Sequence, residues 1–192
     1  CDGTQSQETN RKLEAYATSR HFRTNLMTSQ SKSLPSVLEH VMISDRHRLL
    51  RQWQQLAQQN AKSERVAAWE VAAGKSAALC EQRTASIPQL TYDPELPITA
   101  HREQIIDLIR SRQVIVVCGE TGSGKSTQLP KLCLEAGLGR RAMIGHTQPR
   151  RLAARAVSSR LAEELGSKVG EMVGFKIRFT DATQPQTLIK VM

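Results

Sequence analysis

The sequence predicts an α/β fold, a parallel sheet with helices between its strands, preceded by a small helical segment. Three observations carry this. The β-branched run Val114, Ile115, Val116, Val117 leads into a glycine loop and then a helical pattern. A second strand–loop–helix unit follows at once, RAMIGHTQ (141–148) and then PRRLAARAVSSRLAEELG (149–166). Residues 34–83 hold apolar stripes at helical spacing and no strand pattern. Two successive strand–loop–helix units imply parallel strands joined by right-handed crossovers.

In chain order, residues 1–33 are polar and carry no stripe, so they read as a disordered or spurious extension, with Met27 as the expected true start. Residues 34–83 read as a helical bundle or hairpin. Its stripes are Leu34, Val37, Leu38, Val41, Met42; then Leu49, Leu50, Trp53, Leu56, Ala57; then Val66, Trp69, Ala73, Ala77, Cys80. The two tryptophans read as core. AAGKSAAL (72–79) contains Gly-Lys-Ser but has Trp69 where a second glycine belongs, so it is a helix surface. Residues 84–98, with prolines at 88, 94 and 97, read as a linker. Residues 99–192 read as the α/β part. Thr99 is placed to cap a helix bearing Ile105, Ile106 and Ile109, and Gly137 and Gly166 to end two later helices. VGFKIRF (173–179) and TLIKVM (187–192) add strands.

Gly119-Glu120-Thr121-Gly122-Ser123-Gly124-Lys125-Ser126, followed by Thr127, matches G-x-x-x-x-G-K-[ST] at every fixed position. Glycines here allow backbone conformations that turn successive N–H groups inward around phosphate oxygens. The following helix adds its positive dipole end. Lys125 supplies a point charge for the β- and γ-phosphates, and the Ser126 hydroxyl is a Mg²⁺ ligand. A nucleoside triphosphate with Mg²⁺ is the ligand this pattern calls for.

The chain has 192 residues, 39% hydrophobic and 4% aromatic, which suits one domain plus an accessory segment. The cysteines at 1, 80, 118 and 133 fit no ligand spacing. They read as buried free thiols in a reducing cytoplasm, and neither a metal site nor a disulfide framework is expected. No run is long enough for a membrane span. Net charge is +9 and the pI about 9.8, which favours a polyanionic partner. The distribution is sharper than the total. Residues 139–160 hold arginines 140, 141, 150, 151, 155 and 160 and no acid. Thr147-Gln148-Pro149-Arg150-Arg151 puts two guanidiniums and a helix N-terminus at the carboxyl edge of the sheet, where α/β folds bind ligands. Such groups suit phosphodiester oxygens and track a backbone without reading bases.

GETGSGKST, TQPRRLAAR and VGFKIRF together resemble the DEAH-box RNA helicases. The likeness runs from about Leu34 to Met192, and the pairing with TQPRR is what separates these from other P-loop proteins. It implies a RecA-like nucleotide-binding domain that clamps ATP against a second such domain and moves 3′ to 5′ along single-stranded RNA. By resemblance Gly122, Gly124, Lys125, Ser126 and Thr127 meet phosphate and Mg²⁺, Arg150 and Arg151 meet the RNA backbone, and Arg160 stacks on adenine; Arg178 either lines the RNA path or is a strand arginine exposed for solubility. A link to messenger RNA or ribosomes follows from the family alone. The family's DEAH run and later motifs are absent from these residues, so the chain reads as an N-terminal part, inactive by itself. Two alternatives stand beside this reading: a small P-loop kinase, and an RNA-binding module that keeps a P-loop without hydrolysing.

Overall fold

A computed structural model describes residues 34–59 and 63–192. The extension 1–33, with Met27, lies outside the described residues. The chain divides into two compact units, residues 1–81 and 82–192.

In the first unit a 3-10 turn, Ser36–Glu39, precedes helix α1 (Ile43–Gln58), and helix α2 (Ser63–Ala85) follows. The first stripe therefore forms a turn and not a helix. Pro35 precedes it in an extended conformation, and Leu34 is exposed. The other stripes bury as their spacing requires, with Leu49, Leu56, Trp69, Ala73 and Ala77 in one cluster, although Ala57 is exposed. Trp53 and Trp69 pack against each other at 4.9 Å, and Trp69 Nε1 donates to the Leu49 carbonyl (2.9 Å). Both tryptophans are spent on packing.

In the second unit the stretch expected to be a linker is ordered against its surroundings. Residues 84 and 85 are the end of α2, Ile87 and Leu90 pack on the sheet core, and Tyr92 and Leu96 pack beside Ile98, Ile105 and Leu132. Prolines there forbid helix but not burial. A 3-10 turn (Pro97–His101) opens into helix α3 (Arg102–Ser111). Thr99 falls inside that turn and caps nothing, because Pro97 starts the coil two residues earlier. Helix α4 (Lys125–Glu135) follows the glycine loop. Strand β1 (Ile144–His146), helix α5 (Arg151–Glu164), strands β2 (Val173–Ile177), β3 (Thr180–Ala182) and β4 (Ile189–Val191) complete the unit.

The strand order is β1-β4-β2-β3. β4 lies parallel between β1 and β2, with Ile189 opposite both Ile144 and Val173. β3 is antiparallel to β2, a departure from the all-parallel expectation. The cause is the two-residue turn Arg178–Phe179, with Phe179 at φ 68°, which folds the end of VGFKIRF back on itself. Helix α5 covers the sheet, burying Ala154, Leu161, Ala162 and Leu165 against Val173, Leu188, Ile189 and Val191. It ends as its glycine requires. Gly166 (φ 63°) donates to Glu163 O and Ser167 to Ala162 O.

The run Val114–Val117 is not a strand of this sheet. Ile115 and Val117 pack inward on the Ile98–Leu132 cluster, while Val114 and Val116 are 80% and 84% exposed. The β-branched run is therefore not covered on both faces as a central parallel strand would be; no strand among the described residues pairs with it, and strand structure needs a neighbour. Cys118 is likewise exposed, not buried; Cys80 is buried and Cys133 half-buried, its thiol pushed up by burial.

Gly174 on β2 sits under β3, and a Cβ added there would lie 2.2 Å from the Ala182 carbonyl oxygen. Backbone cannot swing aside as a side chain can. Gly174→Ala should cost roughly 1–3 kcal/mol in urea unfolding through a forced shift of β3; an unchanged midpoint would show that the hairpin is free to move.

Candidate functional site

The glycine loop is built by two left-handed residues, Gly122 (φ 87°) and Gly124 (φ 88°). Gly124 is the N-cap of α4, and its carbonyl accepts from the N–H groups of Thr127 and Gln128. A Cβ there would press on Leu96 and Ile98, at 3.0 and 3.2 Å. The Ser123 carbonyl accepts from Ile98 N–H, which fixes the loop to the turn before α3. Lys125 Nζ lies across the loop and donates to the carbonyls of Gly119 (2.7 Å) and Glu120 (2.6 Å) and to Ser123 Oγ (2.9 Å). The ammonium is thus held by two carbonyls and one hydroxyl of the loop itself.

Thr121 to Thr127 form one side of a cavity of about 760 Å³, a size suited to a nucleotide. Thr91, Tyr92, Asp93 and Leu96 form another wall. Gln128 and Lys131 from α4, and Arg160 and Glu164 from α5, close it. The structure therefore brings Arg160 to the loop, across 33 residues of sequence or more. Gly119 and Glu120 contribute carbonyl oxygens to Lys125 but do not line the cavity.

Several lining groups are invisible to motif reading. Lys131 is 2% exposed, pairs with Glu164 (2.9 Å), and lies over the Tyr92 ring (4.8 Å). Arg102 covers the same ring (4.7 Å) and grips Glu135 with two nitrogens, while Tyr92 Oη donates to Glu135 Oε2 (2.6 Å). Burial, and then the Glu135 hydrogen bond, push the Tyr92 hydroxyl well above its usual range. The Arg102 hydrogen bonds hold Glu135 below the usual carboxylate range. The Tyr92 ring thus meets two cations, and its hydroxyl is tied to Glu135. The only sequence signal for the wall was an aromatic residue in a stretch read as linker.

The site fits Mg²⁺ in the manner of phosphate-assisted sites. Ser126 is exposed at the first turn of α4, and no group of three His, Cys, Asp or Glu side chains stands ready for a metal among the described residues. Mg²⁺ keeps waters and takes one or two protein oxygens beside phosphate oxygens, so a lone hydroxyl suffices from this element.

The remaining expected residues lie away from the cavity. Arg150 is the N-cap of α5 and Arg151 its first residue, both exposed. They follow β1, whose His146 and the nearby Gln148 are tied to Met192 through backbone bonds. Arg178 is exposed in the β2–β3 turn and not within a strand, its guanidinium 4.7 Å from the Phe179 ring. Arg155 lies over Phe175 (5.5 Å). No helix among the described residues is long and apolar enough to cross a membrane.

Comparison with known proteins finds many relatives, among them two of one kind. The chain is 42% identical over 177 residues to the ATP-dependent RNA helicase HrpA of Escherichia coli (strain K12) and 43% identical over 170 residues to the HrpA homolog of Haemophilus influenzae (strain ATCC 51907 / DSM 11121 / KW20 / Rd). Each match takes in 86% of this chain and 13% of the relative, so the chain spans about an eighth of the length of the curated helicases it matches. No protein-family model matches it.

Proposed function

We propose, for a chain that belongs with the HrpA-like helicases, that residues 119–127 and Arg160 bind ATP with Mg²⁺ in a RecA-like half-site. Arg150, Arg151 and Arg178 meet the backbone of single-stranded RNA, and the two sites together serve ATP-driven 3′-to-5′ unwinding. The observation that supports this best is the placement of α5. One rigid helix presents Arg160 to the cavity that holds the P-loop and carries Arg150 and Arg151, exposed, at its other end. Lys125 and the loop N–H groups would hold the phosphates, Ser126 the metal, and Arg160 the adenine face. Messenger or ribosome-associated RNA in the cytoplasm is the partner this reading favours. The helicase relatives speak against the kinase alternative.

The non-hydrolysing alternative describes the chain taken alone. Hydrolysis needs a group to orient water and cations for charge developing on the γ-phosphate. The carboxylates lining the cavity are Asp93 and Glu164, and Glu164 is committed to Lys131 and Arg160. Residues 1–192 by themselves should bind nucleotide weakly and show no turnover.

The test uses the full-length gene product that carries this sequence. It should hydrolyse ATP faster with single-stranded RNA present and displace a strand from a 3′-tailed RNA duplex; hydrolysis indifferent to RNA would overturn the proposal. In the same protein, Arg150→Ala and Arg151→Ala should weaken binding alike across RNA sequences. Each should also reduce the slope of log affinity against log salt by about 0.7, as one lost phosphate contact does. A change of base preference at constant slope would mean these arginines read bases.

A further inference from the structure

One carboxylate joins the two helices that close the cavity. Glu164, the last residue of α5, accepts at Oε2 from Gln128 Nε2 (3.0 Å) and Lys131 Nζ (2.9 Å) of α4, and at Oε1 from Arg160 Nε (3.0 Å) of its own helix. Gln128 Nε2 also donates to Thr127 Oγ1 (3.0 Å), so the contacts run unbroken from the hydroxyl end of the glycine loop to the arginine on the far wall. Gln128 and Lys131 are 1% and 2% exposed, and the Arg160 side chain is 60% exposed. The bridge has a dry inner half and a wet outer half.

That asymmetry decides what the bridge does. An exposed Arg–Glu pair one helical turn apart contributes little, because both flexible side chains must be ordered for one contact. Here two buried donors on another helix already fix the carboxylate, so only the arginine remains to be ordered. Burial alone would raise the Glu164 carboxyl. The hydrogen bonds from Lys131 and Gln128, with the charges of Lys131 and Arg160, overcome this and hold it below the usual range. The carboxylate is therefore charged wherever ATP chemistry runs.

We propose that Glu164 is a positioning residue of the nucleotide pocket, which sets the guanidinium of Arg160 for contact with the nucleoside while Lys131 holds the carboxylate from beneath. The assignment rests on the nucleotide reading above. Losing this anchor leaves Arg160 to its exposed contact with Glu163 (3.2 Å), a pair too weak to hold one rotamer, so nucleoside contact weakens while the phosphate cradle stays intact.

The test compares ATP with inorganic tripolyphosphate as ligands of the full-length gene product. Glu164→Gln should weaken ATP binding about tenfold, with tripolyphosphate affinity within about twofold of wild type. Arg160→Ala should do the same, and the double variant should be no worse than Arg160→Ala, since one residue acts through the other. Because Glu164→Gln leaves Lys131 buried beside a neutral group, the same measurements on Glu164→Gln with Lys131→Met guard against simple misfolding. Equal losses for ATP and tripolyphosphate, or additive losses in the double variant, would overturn the positioning role. If Lys125→Ala left both ligands bound as in wild type, the nucleotide site itself would be wrong.

Discussion

Lys125→Ala should reduce ATP hydrolysis by the full-length gene product at least about 10²- to 10³-fold, the usual consequence of deleting one preorganised group aimed at developing charge. The geometry makes this the most damaging single change in the cavity. Lys125 Nζ is held by three acceptors of the glycine loop, so the charge is already beside the cavity and one N–H need only exchange a loop acceptor for a phosphate oxygen. The half-exposed side chain carries little packing, so the fold should survive. RNA affinity should also survive, because Arg150 and Arg151 stand outside the cavity. Hydrolysis within a few-fold of wild type, measured by phosphate release at saturating RNA, would show that the loop is not the phosphate cradle.

What could be read from sequence was whatever is determined over a few residues. The glycine loop is local: Gly122 and Gly124 adopt the left-handed conformations that only glycine takes freely, and Lys125 turns back on carbonyls five and six residues away. The ends of α5 are local too, with an extended Arg150 before it and Gly166 after it. Val114–Val117 fails for the opposite reason. Its residues have strand propensity, but pairing belongs to another segment, and here the run presents one buried and one open face without a ladder. The antiparallel β3 is not legible in sequence because its tight turn lies at the end of an alternating apolar and basic run, with a non-glycine residue, Phe179, carrying the positive φ.

The cavity divides the same way. Its glycine-loop side is a motif, and its opposite wall is a set of long-range contacts. Lys131 meets Glu164 across 33 positions, Gln128 meets it across 36, and Tyr92 meets Glu135 across 43. Nothing in the spacing of those residues distinguishes them from solvated neighbours. Arg160 was placed at the nucleotide by resemblance, but what orients it became visible only with α4 and α5 packed together.

Arg83 is the largest side chain among the fully buried ones, and it gives the second large effect. From the last turn of α2 its guanidinium donates to the carbonyl oxygens of Gly139 (2.7 Å), Arg140 (3.0 Å) and Ala142 (3.2 Å), and to that of Pro185 (2.6 Å). The first three lie in the loop entering β1 and the last in the loop entering β4, and these strands are neighbours in the sheet. Replacing a buried charged group by an apolar one is often neutral when its partners are replaced as well. Here the partners are backbone carbonyls, which no substitution removes. Arg83→Met therefore leaves the buried Gly139 carbonyl and three part-buried ones without these donors, at about 1–3 kcal/mol for each one that water cannot reach. The expected loss is at least about 3 kcal/mol, a large share of the 5–15 kcal/mol that stabilises a typical domain. Arg83→Lys should recover little, because one ammonium cannot span carbonyls served by both ends of a planar fork. Urea unfolding of the 192-residue chain and its two variants measures this directly. A loss below about 1 kcal/mol for Arg83→Met would mean that the two loops hold their places without the guanidinium. The entry to β1, and with it the path to Arg150 and Arg151, would then depend on the strand ladder alone.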